Sequence, residues 1–298
     1  MDRLDDLSII ILNYNSYEDT VMCVSSIIKS EFDLHIVIVD NVSTDNSFER
    51  LLDRYKDNHN ITILSSGYNG GYSFGNNFGI KYAVNTFNSK YVCILNPDII
   101  ITDCNIFRSM CMALDKYEQL AIIGASALDV NLKYNANYSG WSIPTAAELL
   151  KYHFLLNSRY NKKTNWEKLD SNLAKVDCVA GCFFIAKTFV LRDLGYLDEN
   201  VFLYNEENIL GIKCKMHGYI EGILLDKFYI HNHKFKRDKN ETLRKKISAT
   251  KNMYISTKYL CATYYSKKLL PILFFIEVMN KVYLLFAFFK NKLRKYFD

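Results

Sequence analysis

Short apolar runs that alternate with amphipathic stretches dominate the first hundred residues of the chain. The runs have the length and the β-branched composition of buried strands, and they are Leu7–Leu12, Ile36–Val39, Ile61–Leu64 and Tyr91–Leu95. Helical periodicity lies between the first two runs, at Tyr17–Ser30, and before the last, at Asn76–Asn85. This alternation predicts an α/β fold in which a mostly parallel sheet is flanked by helices.

Polar clusters follow three of these predicted strands. They are Asn13-Tyr14-Asn15 after the first strand, Asp40-Asn41 after the second and Asn96-Pro97-Asp98 after the fourth. Ligands of open α/β sheets bind outside the carboxyl ends of the strands. We therefore expect the three clusters to converge on one crevice.

The second half of the sheet region is less regular. It predicts a strand at Val176–Ala186, a helix at Asn205–His217 that ends before Gly218, and strands at Tyr219–Leu225 and Phe228–His231. With only three prolines in 298 residues and no Gly/Ser-rich linker, residues 1–233 are expected to form one continuous domain.

Charge is divided unevenly along the chain. Residues 234–298 contain 16 Lys and Arg against 4 Asp and Glu, a net charge of +12, whereas residues 1–233 contain 21 against 28, a net charge of −7. The eight cysteines include no CxxC pair, so reduced thiols in a cytoplasmic protein are expected rather than a disulfide framework or a zinc ribbon. The first apolar run is too short for a signal peptide. No nucleic-acid partner is expected.

The basic C-terminal segment contains a dense apolar stretch, Leu269–Phe289, followed by four further basic residues. Pro271, Glu277, Asn280 and Lys281 interrupt it, and a membrane-spanning helix needs about 20 largely uninterrupted apolar residues. We therefore expect an amphipathic helix that lies on the anionic inner face of the cell membrane. A terminal helix packed on its own domain or on a second copy of the chain is the alternative.

Two clusters suit the binding of a nucleotide. Asp40 ends a buried strand, where a carboxylate can accept hydrogen bonds from a base or a ribose, while Ser43 or Asp45 is expected to cap the next helix. Five of the twelve glycines lie between Gly67 and Gly79, which lets the backbone approach a phosphate or a sugar. Neither a P-loop lysine nor a GxGxxG segment after the first strand is present, so a dehydrogenase is disfavoured.

The third cluster suits a divalent cation. Asp98 follows Pro97 directly after a buried strand, and a lone carboxylate there can bind Mg²⁺ or Mn²⁺ that bridges two phosphates. Most of the other ligands would come from diphosphate and water. An ordinary turn that carries an aspartate is the alternative.

The order and spacing of these motifs resemble family-2 glycosyltransferases of the GT-A fold, especially the rhamnosyltransferase-like enzymes of bacterial surface polysaccharides. The resemblance covers about Leu7–Lys258. Beyond the three clusters, it rests on Ser43 and Asp45, on Asn69-x-Gly71 with Asn76-Asn77-x-Gly79, on Val179–Phe184, on Gly195–Glu199 and on Phe202–Glu207. It implies a catalytic domain at residues 1–233, whose nucleotide-sugar-binding half is 1–120 and whose acceptor half is 121–233. Residues 234–298 would be a helical extension that associates with a membrane or oligomerises.

The resemblance also implies roles for individual residues. The donor would be bound by Asn13, Asn15, Asp40, Asn69, Gly71, Asn77, Asn96 and Asp98. The acceptor would be bound by Gly181, Tyr204 and Trp141, although core packing is an equal alternative for the tryptophan. The metal would be held by Asp98 with His231 or His233, which alternate onto one face of a strand.

The implied reaction is inverting, with one carboxylate that takes the proton of the acceptor hydroxyl. The resemblance assigns this task to Glu207, which stands where similar enzymes have Asp, with Glu206 as the alternative base. Two glutamates that merely stabilise the first turn of a helix are the structural alternative.

Two further departures from the family pattern leave other functions open. Ile209 and Lys213 replace an Asp and an Arg, which favours a weakened enzyme or a non-catalytic nucleotide-sugar-binding subunit as the rival hypothesis. A sugar nucleotidyltransferase of the same fold is a second rival. It would need a Gly-rich basic loop after the first strand, and residues 13–16 supply none.

Overall fold

A computed structural model of the chain describes Leu4 and residues 6–28, 32–154, 163–164, 166–232 and 243–297. The chain forms two compact units. The sheet unit comprises Met1–Ile143, Lys163–Glu199 and Glu206–Lys234, and the helical unit comprises Pro144–Lys162, Asn200–Asn205 and Phe235–Asp298. The last segment of the helical unit starts one residue after the expected boundary at residue 234, but this unit also includes two segments from within residues 1–233.

The sheet unit is built on one large mixed sheet. Its strands are β1 (Leu7–Asn13), β2 (His35–Asp40), β3 (Ile61–Ser65), β4 (Tyr91–Leu95), β5 (Ile99–Ile100), β6 (Leu120–Leu128), β8 (Glu167–Lys168), β9 (Leu173–Val176), β11 (Phe183–Lys187) and β12 (Ile220–His231). A separate small sheet pairs β7 (Gly140–Trp141) with β10 (Cys178–Val179).

The strand order of the large sheet is β3-β2-β1-β4-β11-β6-β12-β9-β8, with β5 on β12. Strands β3, β2, β1 and β4 are parallel, as are β6 and β12, whereas β11 runs antiparallel between β4 and β6. This mostly parallel sheet confirms the expected fold class. Because β2, β1 and β4 are neighbours, their carboxyl ends lie side by side.

Helices cover both faces of the sheet in this unit. They are α1 (Tyr17–Ile27), α2 (Ser47–Tyr55), α3 (Tyr72–Phe87), α4 (Asn105–Lys116), α6 (Thr188–Asp193) and α7 (Glu206–Met216). One apolar core contains Ile9 and Ile11 of β1, and a second core on the other face contains Ile10. The alternation of these side chains explains why β1 is apolar throughout.

Two strand predictions differ from the structure. The apolar run Val176–Ala186 does not form one strand, because the chain leaves β10 after Val179, turns through Ala180–Cys182 and enters β11 at Phe183. Conversely, the two strands predicted within 219–231 form the single strand β12, whose pairing with β6 shifts register between Leu224 and Phe228.

The helical unit contains α5 (Ala146–His153), α8 (Leu243–Leu260) and α9 (Leu270–Phe297). Thr145 caps α5 in a capping box with Glu148. Buried polar groups join the three helices: the Asn280 side chain donates a 2.6 Å hydrogen bond to the carbonyl of His153, and the hydroxyl of Thr257 lies 2.9 Å from the His153 ring. Burial lowers the pKa of His153 to about 4, so its ring is neutral at physiological pH.

Within the described residues, one segment, Lys267–Phe286, is long and apolar enough to cross a membrane by length and composition. From the sequence, we expect the polar residues of this stretch to disfavour a membrane-spanning helix. The structure shows where two of them lie: Glu277 and Asn280 are buried within the helical unit.

Candidate active site

Asp40 is the centre of a hydrogen-bond network at the carboxyl end of β2. Its carboxylate accepts hydrogen bonds from the Asn13 side chain at 2.7 Å and from the backbone N–H and the hydroxyl of Ser43 at 2.8 and 2.7 Å. The Asn13 amide oxygen in turn accepts from the Thr20 hydroxyl at 2.8 Å. Asn13 is fully buried and Asp40 is 1% exposed. Asn13 therefore positions Asp40 and is not exposed to a ligand.

The loop after Asp40 forms the outer surface of this network. The side chain of Asn15 accepts a 2.7 Å hydrogen bond from the backbone N–H of Thr44, and the Ser43 hydroxyl accepts one from the Asn15 backbone. Val42 is exposed and has a φ of 61°, a left-handed conformation that is an outlier for a β-branched residue. Backbone strain of this kind is concentrated at functional sites. The N-cap position of α2 is occupied by Asn46, and Asp45, one residue earlier, accepts hydrogen bonds from the Ser47 backbone and hydroxyl.

The glycine-rich segment serves packing more than ligand approach. Gly71, with a φ of 90°, begins α3, and the Asn69 side chain accepts hydrogen bonds from the Gly71 backbone and from the Asn41 amide. A Cβ at Gly75 would lie 2.3 Å from Leu12, and one at Gly79 would lie 2.6 Å from Ile10. These two glycines therefore let α3 pack directly on β1.

Asn77 has a structural position rather than a donor-facing one. It is 1% exposed, and its amide nitrogen donates to the carbonyl of Leu197 at 2.9 Å and to the Glu199 carboxylate at 2.7 Å. Its amide oxygen accepts from the Leu197 backbone. Both ends of the Asn77 amide therefore contact the loop that follows α6.

The side chain of Asp98 faces that of His231 where β5 pairs with β12. The two side chains approach to 3.1 Å between Oδ2 and Nε2, and each is about one quarter exposed, at 25% and 26%. Pairing of β5 with β12 creates this contact, because Ile99 lies opposite His231 and the Asn232 backbone donates to the Asp98 carbonyl. His233 lies outside the described residues.

A carboxylate and an imidazole are a donor set that fits Mn²⁺ or Mg²⁺ when substrate phosphates and water supply the other ligands. Across the described part of the chain, no group of three or more His, Cys, Asp or Glu side chains could hold a metal by itself. Any cation at Asp98 and His231 would therefore depend on a bound phosphate for most of its coordination.

Glu207 meets the loop between β10 and β11. Gly181 donates its backbone N–H to the Glu207 carboxylate at 3.4 Å, and the Tyr72 hydroxyl donates to the Gly181 carbonyl. A Cβ on Gly181 would lie 3.0 Å from the Glu207 carboxylate oxygen and 3.3 Å from the Tyr72 hydroxyl. Desolvation and the charges of Glu207 and Glu206 raise the pKa of Tyr72, so its hydroxyl remains protonated as a donor.

Glu207 is the more accessible of the two glutamates that begin α7. It is half-buried, whereas Glu206 is 7% exposed. Both lie in the first turn of the helix, where negative side chains are stabilised. Accessibility therefore favours Glu207 over Glu206 as the group that meets an acceptor.

Cys182 lies between the turn that carries Asp98 and the start of α7 at Glu207. Its carbonyl accepts a 2.8 Å hydrogen bond from the Asn96 backbone. Burial, together with the charges of Asp98 and Glu207, raises the pKa of the Cys182 thiol to about 12, so the thiol is neutral. The Asn96 backbone contacts Cys182 and the Glu207 carboxylate contacts the neighbouring Gly181, so the turn after β4 and the start of α7 both meet the loop Ala180–Cys182.

Comparison with known proteins identifies the family. A family model described as "Glycosyl transferase family 2" matches residues 8–189. The chain belongs to glycosyl transferase family 2. It is similar to a low-salt glycan biosynthesis hexosyltransferase of Haloferax volcanii, with 32% identity over 206 residues, which are 68% of this chain and 60% of that protein.

Solved structures that resemble the chain share the GT-A fold. S. aureus TarS 1-349 in complex with UDP-GlcNAc matches with a TM-score of 0.54 and 18% identity over 85% of this chain and 66% of that one. A mannosyltransferase of Pyrobaculum calidifontis in complex with GDP-Man and Mn²⁺ matches with a TM-score of 0.57 and 15% identity over 94% and 69%. At these identities the likeness shows the fold alone. The chain spans 60% and 43% of the first two curated relatives that it matches.

The two other predicted acceptor residues of this family-2 chain differ in their surroundings. Trp141 is 3% exposed and its indole N–H donates to the Asn208 side chain at 2.9 Å, so it occupies the core-packing alternative. Tyr204 belongs to the helical unit, where it is exposed and has a φ of 77°. The two departures from the family pattern are also located: Ile209 is buried, and Lys213 donates to the Tyr196 carbonyl at 2.9 Å.

Glu221 is a residue of the site region that the sequence analysis missed. It is 2% exposed, and its carboxylate accepts a 2.7 Å hydrogen bond from the Val179 backbone, two residues before Gly181. Burial raises the pKa of Glu221 to about 8, so the acid form predominates at neutral pH. An apolar strand with one internal glutamate is the signal that could have drawn attention to it.

Replacing Gly181 by Ala is expected to reduce turnover and to leave the fold intact. The new Cβ would lie 3.0 Å from the Glu207 carboxylate oxygen, so the carboxylate has to move by a few tenths of an ångström. A misplacement of about 1 Å can cost roughly 100-fold in rate, and this smaller shift is expected to reduce the rate several-fold. Gly124→Ala is the matched control, because its Cβ would meet its nearest neighbour at 3.5 Å, an ordinary contact. Thermal melting and product formation are measured for both. Equal activity of the two variants would contradict the placement of Glu207.

Proposed function

We propose that this family-2 chain is an inverting glycosyltransferase that moves one hexosyl or deoxyhexosyl group from a nucleotide-diphosphate sugar to a hydroxyl of a lipid-linked or surface-polysaccharide oligosaccharide. The observation that carries the proposal is the placement of Glu207 at the Gly181 loop, next to the turn that holds Asp98. The Glu207 carboxylate is thereby available to an acceptor and the Asp98 carboxylate to a diphosphate.

The donor is assigned to the edge formed by the ends of β2, β1 and β4. Asp40, held by Asn13 and Ser43, is 1% exposed beneath the loop that carries Asn15 and Thr44, so a base or ribose that hydrogen-bonds to it has to displace this loop. Asp98 and His231 would hold the divalent cation, which neutralises charge on the departing diphosphate. Asn69 and Gly71 support this edge through Asn41.

Glu207 is assigned the role of the base that accepts the proton of the acceptor hydroxyl. As the acceptor oxygen bonds to the anomeric carbon, its proton passes to the Glu207 carboxylate, and the bond from the anomeric carbon to the diphosphate oxygen breaks with its electron pair on the leaving group. The Gly181 N–H orients the carboxylate. The side chain of glutamate is one methylene longer than that of aspartate, so the acceptor hydroxyl would lie correspondingly farther from α7.

Substrate identity is proposed from the relatives and the charge distribution. The similar Haloferax volcanii protein is a glycan biosynthesis hexosyltransferase, which supports a hexosyl donor. The resemblance to rhamnosyltransferase-like enzymes makes a rhamnosyl group the second candidate for the transferred sugar. The +12 charge of residues 234–298 supports a cytoplasmic, peripheral location on the inner face of the membrane, where each nearby Lys or Arg contributes about 1 kcal/mol. A lipid-linked acceptor would be found there.

Calorimetric titration tests whether the protein binds a nucleotide-sugar donor. Purified protein is titrated calorimetrically with UDP-, GDP- and dTDP-sugars, including a rhamnosyl donor, with and without Mn²⁺ or Mg²⁺. We expect one nucleotide class to bind, and to bind more tightly with the cation. If no nucleotide sugar binds under either condition, the proposed function is wrong.

A further inference from the structure

The helix α9 has two faces of opposite character. Leu273, Ile276, Glu277 and Asn280 are buried, and their spacing places them on one side of the helix. The opposite side exposes large apolar groups, which include Phe274, Phe275, Val278, Val282 and Phe286 at 42–69% exposure. We name these five residues the apolar face. Exposed patches of this kind mark protein or membrane contacts.

Glu277, Asn280 and Lys281 of α9 make polar contacts within the helical unit. The Glu277 carboxylate pairs with Lys258 of α8 and, at 2.7 Å, with Lys281. The Asn280 side chain donates to the His153 carbonyl and to the Tyr254 hydroxyl. The interruptions of the apolar stretch are therefore directed away from the apolar face, which presents only uncharged side chains.

The same contacts are unfavourable for a helix that crosses the membrane. Glu277 and Lys281 lie near the middle of the apolar segment Lys267–Phe286, so a spanning arrangement would place two charged groups near the bilayer centre, where they are costly. A helix that lies along the interface needs to bury one face only and keeps the ion pairs on the other side.

Charge favours a lipid surface over a second copy of the chain. Lys267 and Lys268 are exposed at the start of the apolar segment, and the sequence places Lys290, Lys292 and Arg294 after its end. Two copies of a segment with a net charge of +12 repel each other, whereas anionic headgroups attract it.

We propose that α9 docks in the plane of an anionic bilayer through the apolar face, with the Glu277 network directed away from the lipid. The inference rests on the peripheral membrane location proposed above, and it specifies which side of which helix meets the membrane. The ligand class is a bilayer that contains anionic phospholipid.

Vesicle sedimentation of the full chain tests the proposal. We expect binding to vesicles of phosphatidylcholine mixed with phosphatidylglycerol, much weaker binding to phosphatidylcholine alone, and release by high salt. The double variant Phe275→Gln with Phe286→Gln should lose at least about tenfold in partitioning, since burial of even one such side chain is worth that factor. The matched control is Met112→Gln with Phe189→Gln, two exposed apolar residues of the sheet unit, and it should bind as the wild type does.

Three results would overturn the proposal. Equal partitioning of the two double variants would show that the apolar face does not meet lipid. Resistance of bound wild-type protein to salt and alkaline carbonate would indicate a spanning helix. A dimeric wild type that becomes monomeric in the Phe275 and Phe286 variant, without vesicle binding, would assign the face to a second copy. Donor binding by the same variants is measured calorimetrically. Donor binding without vesicle binding overturns the membrane proposal alone, whereas loss of donor binding in the wild type would indicate failure of the proposed enzyme function.

Discussion

Glu207→Gln is expected to reduce sugar transfer by about 10²- to 10⁴-fold, the usual contribution of a positioned general base. Gln has nearly the same shape and can still accept the hydrogen bond from the Gly181 backbone, but it cannot take the acceptor proton. Binding of the donor, which is assigned to Asp40 and Asp98, should therefore remain unchanged. Initial rates and calorimetric donor affinity are measured on the same preparations.

Glu206→Gln is the matched control for this variant. Glu206 neighbours Glu207 in the first turn of α7 but is nearly inaccessible, so we expect transfer within a few-fold of wild type. If transfer collapses in Glu206→Gln and survives in Glu207→Gln, the base is Glu206. If both variants retain full transfer, neither glutamate accepts the proton. Both would then only stabilise the first turn of α7.

Asp98→Asn is expected to weaken donor binding in the presence of Mn²⁺ by about 10- to 100-fold. This factor corresponds to the roughly 1.5–3 kcal/mol typical of a contact to a charged group, and it should shrink when the cation is omitted. The variant removes a negative ligand and weakens the contact with His231. Calorimetric titrations of nucleoside diphosphate with and without Mn²⁺ provide the measurement.

Asp57→Asn serves as the control for Asp98→Asn. Asp57 is exposed between α2 and β3, and its replacement removes the same charge from the sheet unit. We expect its nucleotide affinity to match wild type at every cation concentration. A cation effect that is identical in all three proteins would contradict the assignment of the metal to Asp98.

The sheet and the edge that carries the site could be predicted because their signals are local. Each apolar run from Leu7 to Leu95 is short, continuous and followed by polar residues, and a parallel sheet brings the carboxyl ends of such strands together. Asp40 and Asp98 lie at this edge as expected. The run Val176–Ala186 carried no such signal, because a turn through Ala180–Cys182 is as apolar as the strands on either side.

Roles that depend on distant partners could not be predicted. Asn13 and Asn77 lie in family motifs, but the first orients Asp40, which is 27 positions away, and the second holds Leu197, which is 120 positions away. Gly75 and Gly79 were expected to approach a ligand, yet their close neighbours are Leu12 and Ile10 of β1.

The polar interruptions of the C-terminal helix illustrate the same limit. The sequence shows that Glu277 and Asn280 occur in an apolar stretch, and it does not show what they face. Lys258 and the carbonyl of His153, the partners that satisfy them, belong to other helices. The folded helical unit reveals that one side of α9, over the residues whose side chains are described, exposes apolar groups.

Release of nucleoside diphosphate from its sugar donor tests the central claim most directly. Wild-type protein is incubated with the donor that binds, with and without Mn²⁺, and with a lipid-linked oligosaccharide acceptor, and the free nucleoside diphosphate and the extended acceptor are quantified. We predict stoichiometric formation of both products that requires the cation and is lost in Glu207→Gln. Tight donor binding with neither product formed under any condition would contradict the account and identify the chain as a nucleotide-sugar-binding subunit.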